Sequence, residues 1–337
     1  MVFYYRNGEA LKEALNVYGA AEEPFFFVIS FDQQEGYCVP LHQIDSSPLS
    51  FVFPGNRTGS MAIPQKLYPF SRPAFTLRHT LSYSEYEKQF ARVQKELALG
   101  HTFLLNLTQQ SEVISHFSLA ELFSLSKAKY KVWLKNKFVS FSPETFIRIN
   151  KQGDIATYPM KGTIDANSPD AAALLLNNQK ELAEHHTIVD LMRNDLSQVA
   201  KNIAVRRFRY LEKLTTERGA IYQTSSEITG RLQTKYRYKI GDLLTRLLPA
   251  GSISGAPKST TLKIIKETEN YQRGFYTGIA GLYDGKSLDS CVLIRYLEWQ
   301  KGKYFYKSGG GITAYSDPQA EYQECLQKIY LPIQPCG

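Results

Sequence analysis

The sequence carries two pairs of glutamates at the spacing Glu-x-x-Glu: Glu181/Glu184 within KELAEHH and Glu321/Glu324 within AEYQECLQK. Side chains three residues apart on a helix share a face, so each pair directs two carboxylates the same way. One such pair alone is usually a solvated surface feature. Two pairs together could hold a cation, because buried carboxylates need a positive charge beside them.

The first pair lies on a segment predicted to be a largely buried helix. The stripe that holds the glutamates continues into apolar residues: Glu181, Glu184, Ile188, Leu191. The neighbouring stripe is apolar throughout: Leu182, Val189, Met192, Leu196. A helix that is apolar over so much of its surface is mostly buried. Four carboxylates from two helices suit a hard, oxygen-seeking ion, which favours Mg²⁺ over Zn²⁺.

Three further features could meet an anion or react with it. Lys161, in YPMKGT, stands between a proline and a glycine that fix the backbone, although a lone lysine is usually a surface charge. Residues 251–261 lack the glycine spacing of a phosphate loop, but a helix N-terminus there could attract an anion together with Lys258. The run 308–312, SGGGI, offers unhindered backbone N–H groups, and taken alone it predicts a flexible turn.

The positive charge of the chain is concentrated in one segment. The 337 residues carry a formal net charge of +8, and residues 201–239 hold ten Lys and Arg against three Glu. The alternation in 203–210 predicts a strand with one solvated, charged face. A basic nucleic-acid-binding protein is the distant alternative, and it lacks support because no zinc-finger spacing or RNP-like motif accompanies the patch.

Composition excludes several other classes of protein. With 43% hydrophobic and 21% charged residues, the chain is predicted to be globular and not disordered. No apolar run approaches the roughly 20 residues that a membrane helix needs, and the first residues do not resemble a signal peptide. A cytoplasmic protein without a membrane partner is therefore expected.

The elements that must position these residues come in blocks of strands and of helices. Helices are predicted at 83–99 (capped by Ser82 or Ser84 and ended by Gly100), 119–126, 168–199 (opened by Ser168-Pro169), 240–248, 258–269 and 318–329. Strands are predicted at 102–109 and in a pair within 132–150 that turns at Asn136. Further strands are predicted from the end of the helix at 199 to about residue 231, and at 278–306. Blocks of this kind predict an α+β fold and not a doubly wound sheet.

Seven linked segments resemble the chorismate-binding family, which contains anthranilate synthase component I, aminodeoxychorismate synthase component I, and the isochorismate and salicylate synthases. They are SFSPETF (140–146), PMKGT (159–163), KELAEHHTIVDLMRNDL (180–196), PAGSISGAPK (249–258), RGFYTGIAG (273–281), LDSCVLIR (288–295) and GGGITAYSDPQAEYQECLQK (309–328). The resemblance covers about residues 80–330. It implies a large intertwined α+β fold with mainly antiparallel sheets flanked by helices, in which 1–80 is an abbreviated strand-rich part and 81–337 the catalytic region.

The resemblance also implies roles for individual residues. Both Glu-x-x-Glu helices would face one Mg²⁺, with Glu184 and Glu324 as direct ligands and Glu181 and Glu321 either behind them or holding waters of the metal. Glu144 would be the general acid that protonates the departing 4-hydroxyl of chorismate. The residues implied to meet the substrate and its carboxylates are Thr163, Tyr276, Arg295, Gly311 through its N–H, and Lys328.

Two positions separate the branches of the family. Lys161 resembles the lysine whose amine attacks C2 in aminodeoxychorismate synthases, where anthranilate synthases have alanine. Leu104 stands where isochorismate and salicylate synthases carry a water-activating lysine, and leucine cannot act as a base. The resemblance therefore implies aminodeoxychorismate synthase component I activity in 4-aminobenzoate and folate biosynthesis, with anthranilate synthase component I as the alternative. Gln223 departs from the histidine of many members.

The implied reaction needs other proteins. Nothing in the sequence resembles a glutaminase with its nucleophilic Cys and partner His. The resemblance therefore implies that ammonia comes from a separate glutamine amidotransferase subunit. It also implies that a separate aminodeoxychorismate lyase uses the product.

Overall fold

The computed structural model describes residues 3–55, 57–59, 74–216 and 219–333. The strands are β1 Tyr4–Tyr5, β2 Phe25–Ile29, β3 Gly36–Pro40, β4 Leu49–Phe53, β5 Arg57–Gly59, β6 Phe75–His79, β7 Leu104–Ser115, β8 Tyr130–Leu134, β9 Phe138–Ser142, β10 Thr145–Ile149, β11 Asp154–Thr157, β12 Met160–Asp165, β13 Ala200–Thr216, β14 Gly219–Leu232, β15 Gly255–Ala256, β16 Ile279–Tyr283, β17 Leu288–Val292, β18 Tyr296–Gln300 and β19 Lys303–Ile312. The helices are α1 Gly8–Ala20, α2 Tyr83–Ala98, α3 Leu119–Leu125, α4 Ala171–Asn177, α5 Gln179–Ser197, α6 Ile240–Leu247, α7 Gly251–Ser254, α8 Lys258–Thr268 and α9 Pro318–Gln327.

The strands form two antiparallel sheets. The first sheet has the order β1-β3-β2-β16-β17-β10-β11-β14-β12, and β13 also pairs with β14. The second sheet has the order β15-β7-β19-β18-β9-β8-β4-β5, and β6 also pairs with β7. Strands from the first 80 residues enter both sheets, since β2 lies between β3 and β16 and β4 pairs with β8.

Alternate side chains of β2 point into two different hydrophobic cores. Phe26 packs between the sheets, where its ring stacks on Phe51 of β4 with centroids 4.1 Å apart. Phe25 and Phe27 face the other way, into a core shared with α1, α5 and α6. Since successive side chains of a strand point to opposite faces, one five-residue strand joins both layers. The predicted α+β fold with antiparallel sheets flanked by helices is confirmed.

A buried ion pair ties the second sheet to the segment that precedes β16. Glu269 and Arg273 have side chains only 2% exposed and approach to 2.6 Å. Glu269 Oε1 accepts hydrogen bonds from the backbone N–H of Thr108 (2.9 Å) and from its hydroxyl (2.7 Å). Arg273 donates to the carbonyl of Asn106 at 2.6 Å and to that of Ile253 at 2.8 Å. The pair therefore fixes β7 against α7.

The helix start that the sequence marked most clearly is confirmed. Ser82 caps α2 in a full capping box, because its side chain accepts from the N–H of Glu85 while the Glu85 carboxylate accepts from the N–H of Ser82. The prediction for 168–199 is partly wrong. The segment divides at Asn178, which ends α4 and whose side chain caps α5, and α4 starts after Asp170 in the left-handed conformation.

One other local expectation was wrong. The glycine run 308–312 does not form a flexible turn but belongs to β19, where Gly309, Gly310 and Gly311 pair with Thr108, Leu107 and Asn106. The strand-rich N-terminal part also contains α1, whose N–H groups are capped by the side chain of Asn7. In the ranges that the structure describes, no helix is long and apolar enough to cross a membrane.

The buried ion pair predicts a large and specific stability effect. Arg273→Met leaves the Glu269 carboxylate buried without its cation, so we expect the free energy of unfolding to fall by about 3–5 kcal/mol in urea titrations. Arg92→Met is the matched control, since Arg92 and Glu267 form an ion pair with side chains 47% and 46% exposed. That variant should lose less than about 1 kcal/mol. Equal losses in the two variants would contradict the role given to the buried pair.

Candidate functional site

The four predicted carboxylates lie in the first two turns of two helices. Glu181 is in the first turn of α5 and Glu184 follows one turn later, while Glu321 and Glu324 have the same relation in α9. Glu321 is 5% exposed and accepts a hydrogen bond from Ser316 Oγ at 2.8 Å. Burial raises the pKa of Glu321, and the charges of Glu324 and Glu184 add to that rise.

Lys161 lies among these carboxylates. Its Nζ is 2.6 Å from Glu184 Oε2, and the two side chains are 28% and 12% exposed. Burial alone would favour the neutral amine, but the carboxylates of Glu184, Glu324 and Glu181 outweigh it and raise the pKa of Lys161 to about 12. The predicted nucleophile is therefore held as an ammonium ion in contact with the acidic cluster. It is not the surface charge that a lone lysine usually is.

Two glycines let the backbone come close to the acids. Gly162 follows Lys161 with φ +83, and a Cβ there would lie 2.8 Å from Glu181 Oε2. A Cβ at Gly310 of β19 would lie 3.3 Å from Glu321 Oε2. Side chains at either position would press on the carboxylates, and at Gly162 the left-handed backbone also favours glycine.

The carboxylate donors fit a hard cation in their chemistry. Within the described ranges, no three His, Cys, Asp or Glu side chains are close enough together to hold a metal ion as they stand. The ammonium of Lys161 instead provides a positive charge that interacts with Glu181, Glu184 and Glu324. A set of carboxylate oxygens that already attracts the ammonium of Lys161 suits Mg²⁺ better than Zn²⁺ as a metal ion.

Glu144 is held beside the helix α7. Its Oε1 accepts a hydrogen bond from Ser252 Oγ at 2.7 Å, and a small cavity adjoins both residues. Burial raises the pKa of Glu144, although the Ser252 hydrogen bond and the charges of Arg295 and Lys328 oppose the rise. A carboxyl group with a raised pKa can donate a proton near neutral pH, as the predicted general acid must.

Three of the residues predicted to meet the substrate carboxylates are Arg295, Tyr276 and Lys328. Arg295 has φ +51, an uncommon conformation for a residue with a side chain, and its guanidinium lies 4.8 Å from the ring centroid of Tyr330. Tyr276 is 4% exposed, and burial raises the pKa of its hydroxyl. Lys328 bonds to Glu324 at 2.6 Å and to the carbonyl of Gly309 at 3.0 Å.

Leu104, the second position that separates the family branches, and Gln223, the departure from the family pattern, are also placed. A Cβ at Gly311 would lie 3.2 Å from Leu104 Cδ1, so the leucine is next to the glycine run. Gln223 is 7% exposed, and its Nε2 donates to Met160 Sδ at 2.8 Å, one residue before Lys161. Thr163 pairs with Gln223 in the sheet register but is exposed, so its role in substrate binding stays a prediction.

Two sequence features have structural partners instead of a ligand. Lys258 begins α8, but its Nζ bonds to Asp195 at 2.9 Å and to the carbonyl of Leu247 at 2.6 Å. It is therefore committed to an ion pair and not free for an anion. In the basic segment 201–239, Arg207 pairs with Glu227 at 3.0 Å and Arg231 pairs with Asp154 at 2.8 Å.

The sequence did not single out His185 or Ser252. His185 follows Glu184 directly, is fully buried, and its Nε2 lies 2.7 Å from Ser226 Oγ. Burial and the charge of Arg209 lower the pKa of His185 to about 4, so the ring is neutral. The available signal for Ser252 was its place within PAGSISGAPK, since no spacing along the chain connects it with Glu144.

Comparisons with known proteins identify the family of the chain. A family model described as chorismate binding enzyme matches residues 10–334. The chain is 47% identical over 322 residues, 96% of each chain, to the Uncharacterized PabA-like protein of Haemophilus influenzae. It is 35% identical over 267 residues to aminodeoxychorismate synthase component 1 of Klebsiella aerogenes, covering 75% of this chain and 58% of that one.

A solved structure of a chorismate-utilising enzyme has the same fold as this chain. The menaquinone-specific isochorismate synthase MenF of Escherichia coli superposes with a TM-score of 0.73 at 17% identity, covering 97% of this chain and 82% of that one. At this identity the likeness concerns the fold alone. The family model spans nearly all of the chain and includes both acidic helices. The chain therefore belongs to the family of chorismate-binding enzymes.

Proposed function

We propose that the protein is the chorismate-converting component of an aminodeoxychorismate synthase. The single observation that carries this proposal is Lys161, whose amine lies 2.6 Å from Glu184 within the acidic cluster. A nucleophilic lysine is the feature that distinguishes this activity from that of an anthranilate synthase. Leu104, next to the glycine run, supports the exclusion of a water-activating base at that position.

The reaction follows in two substitutions. The free amine of Lys161 forms a bond to C2 of chorismate and loses a proton, both ring double bonds shift, and the C4–O bond breaks while Glu144 protonates the departing hydroxyl to give water. Ammonia then forms a bond to C4 and gives up a proton, both double bonds shift back, and the C2–N bond breaks as the Lys161 nitrogen takes up a proton. The product is 4-amino-4-deoxychorismate. Before attack, the proton of Lys161 has Glu184 Oε2 as an acceptor within hydrogen-bonding distance.

Charged groups in the site match a substrate with two carboxylates. In the proposal, Arg295, Tyr276, Lys328, Thr163 and the N–H of Gly311 bind chorismate. The ligands proposed for Mg²⁺ are Glu184 and Glu324, supported by Glu181 and Glu321. When bound, the ion would supply positive charge for a substrate carboxylate. Its presence would also let the four glutamates remain ionised close together.

The proposed activity includes two protein partners. A glutamine amidotransferase subunit would deliver ammonia, and a separate aminodeoxychorismate lyase would convert the product to 4-aminobenzoate. Anthranilate synthase component I is the second candidate, since both activities use chorismate and ammonia. The partners within the basic segment, Glu227 for Arg207 and Asp154 for Arg231, leave the nucleic-acid-binding alternative without a specific observation in its favour.

Lys161→Ala should abolish the covalent adduct. Incubation with chorismate and Mg²⁺, without ammonia, should give the wild-type protein the mass of chorismate less one water, seen by mass spectrometry of the intact protein. The variant has no amine at this position and should show no added mass. Lys151→Ala, on an exposed turn, is the matched control and should form the adduct normally. An adduct on Lys161→Ala would exclude this lysine as the nucleophile.

Ser252→Ala should move the pH dependence of adduct formation. The Ser252 hydrogen bond lowers the pKa of Glu144, so its removal should raise that pKa further. A general acid acts while protonated, and activity falls as pH rises through its pKa. The falling limb of the rate profile should therefore shift to higher pH in Ser252→Ala. Glu144→Gln should lose that limb together with about 100-fold or more of the rate. An unshifted limb in Ser252→Ala would contradict the acid role.

The product distinguishes the two candidate activities. Chorismate, Mg²⁺ and ammonia should yield 4-aminobenzoate only when aminodeoxychorismate lyase is added, and no fluorescent anthranilate should appear without it. Direct formation of anthranilate would establish the second candidate instead. Adding the glutamine amidotransferase subunit with glutamine should replace the requirement for free ammonia.

A further inference from the structure

The lysine proposed as the nucleophile stands in a bulge of β12. Residues 160–163 of β12 lie opposite residues 223–225 of β14, so Lys161 and Gly162 together face the single residue Thr224. An extra residue of this kind bends a strand and redirects its side chains. Gly162 accommodates the bend with φ +83. The bulge therefore determines where the backbone of Lys161 lies.

The side chain of Thr224 bonds across this bulge. Its hydroxyl donates a hydrogen bond to the backbone carbonyl of Lys161. Thr224 is fully buried, so water cannot take the place of this bond. A bulge disrupts the backbone hydrogen bonds of a sheet locally, and a bond from a side chain compensates for that loss. The Thr224 hydroxyl thus joins β14 directly to the residue whose amine is proposed to react.

A second buried hydroxyl of β14 contacts the helix α5 beside Lys161. Ser226 lies two residues after Thr224, so the two side chains share one face of the strand. Ser226 Oγ is 2.7 Å from Nε2 of His185, and both residues are fully buried. His185 directly follows Glu184, the carboxylate that contacts Lys161 at 2.6 Å. The ring of His185 also interacts with the backbone of Lys161.

The two hydroxyls therefore fix both partners of the ion pair between Lys161 and Glu184. Thr224 fixes the backbone of the lysine, and Ser226 fixes the turn of α5 that carries the carboxylate. A lysine side chain is flexible, so its reach depends on where its backbone and its ion-pair partner lie. The placement matters because a misplacement of about 1 Å can lower the rate of a reaction about 100-fold.

We propose that Thr224 is a positioning residue for the Lys161 amine, supported by Ser226 through His185. The inference rests on the proposed function in one respect, that Lys161 is the nucleophile. The two hydroxyls act through Lys161 and Glu184 and have no contact with the substrate in the proposal. Loss of either hydroxyl therefore slows the attack of the amine on C2 and leaves the affinity for chorismate unchanged.

Thr224→Val tests this role, because valine keeps the shape of threonine and lacks only the hydroxyl. Adduct formation with Mg²⁺ and without ammonia is followed over time by mass spectrometry of the intact protein, at several chorismate concentrations. The limiting rate should fall about tenfold or more. The chorismate concentration that gives half of this rate should stay within about twofold of the wild-type value. Thr224→Ser keeps a hydroxyl and should restore the limiting rate to within about threefold.

Two further variants separate positioning from stability. Ser47→Ala is the matched control, since Ser47 is 2% exposed and its hydroxyl donates to the carbonyl of Ile44 at 2.7 Å. It should lower the melting temperature without slowing adduct formation. Ser226→Ala reaches the same ion pair from the other side and should lower the limiting rate about threefold or more. Thermal unfolding checks that each variant is folded, and Ser226→Ala carries the test if Thr224→Val does not fold.

A chemical measurement on the free protein tests the position of the amine without the reaction. A trace of acetic anhydride acetylates the lysines that it reaches, and peptide mass spectrometry compares Lys161 with the exposed Lys151. In the wild-type protein the side chain of Lys161 is 28% exposed and contacts Glu184. Thr224→Val should loosen this contact and raise the relative acetylation of Lys161 about threefold or more.

The outcomes distinguish the inference from the proposed function. An unchanged limiting rate or unchanged acetylation in Thr224→Val would overturn the inference. A higher half-rate concentration at an unchanged limiting rate would do the same, because the hydroxyls would then serve substrate binding. Equal slowing in Ser47→Ala would also overturn it, since a general loss of stability would explain the effect. A wild-type protein that forms no adduct, with raised acetylation of Lys161 in Thr224→Val, would exclude the proposed function and leave the positioning of Lys161 standing.

Discussion

The ion pair between Glu269 and Arg273 is the constraint on which the site depends. Both charges are almost completely enclosed, and they share their hydrogen bonds with the backbone of β7 and with the carbonyl of Ile253. A buried charge that loses these contacts cannot be compensated by water. The strand β7 is therefore fixed in place, and β19 is fixed through its pairing with β7. The glycine run opposite the acidic helix takes its position from this pair.

Local signals in the sequence predicted the helices well where capping chemistry was explicit. Ser82 with Glu85 marks the start of α2 because both halves of the capping box are local in the chain. The glycine run 308–312 was misjudged for the opposite reason. Glycine is intrinsically suited to turns, and only the pairing of β19 with β7, about 200 residues away in sequence, holds this run as a strand.

The candidate site shows the same division between local and distant information. Spacing predicted that each glutamate pair shares a helix face, and the resemblance to a family supplied the roles of Lys161 and Glu144. Contacts across long stretches of chain could not be read from spacing. Ser252 reaches Glu144 over 108 residues, and Lys258 is drawn to Asp195 instead of pointing toward an anion. Such contacts depend on packing, which has no local signal.

The position of β2 has a consequence for how the molecule is made. This wholly buried strand begins at residue 25, but its partner β16 lies about 250 residues later in the chain. The pairing of β2 with β16 therefore cannot form until most of the chain has left the ribosome. Until then Phe25–Ile29 is an apolar strand with one unpaired edge, and such edges are prone to aggregation. The first sheet is therefore completed only late in synthesis.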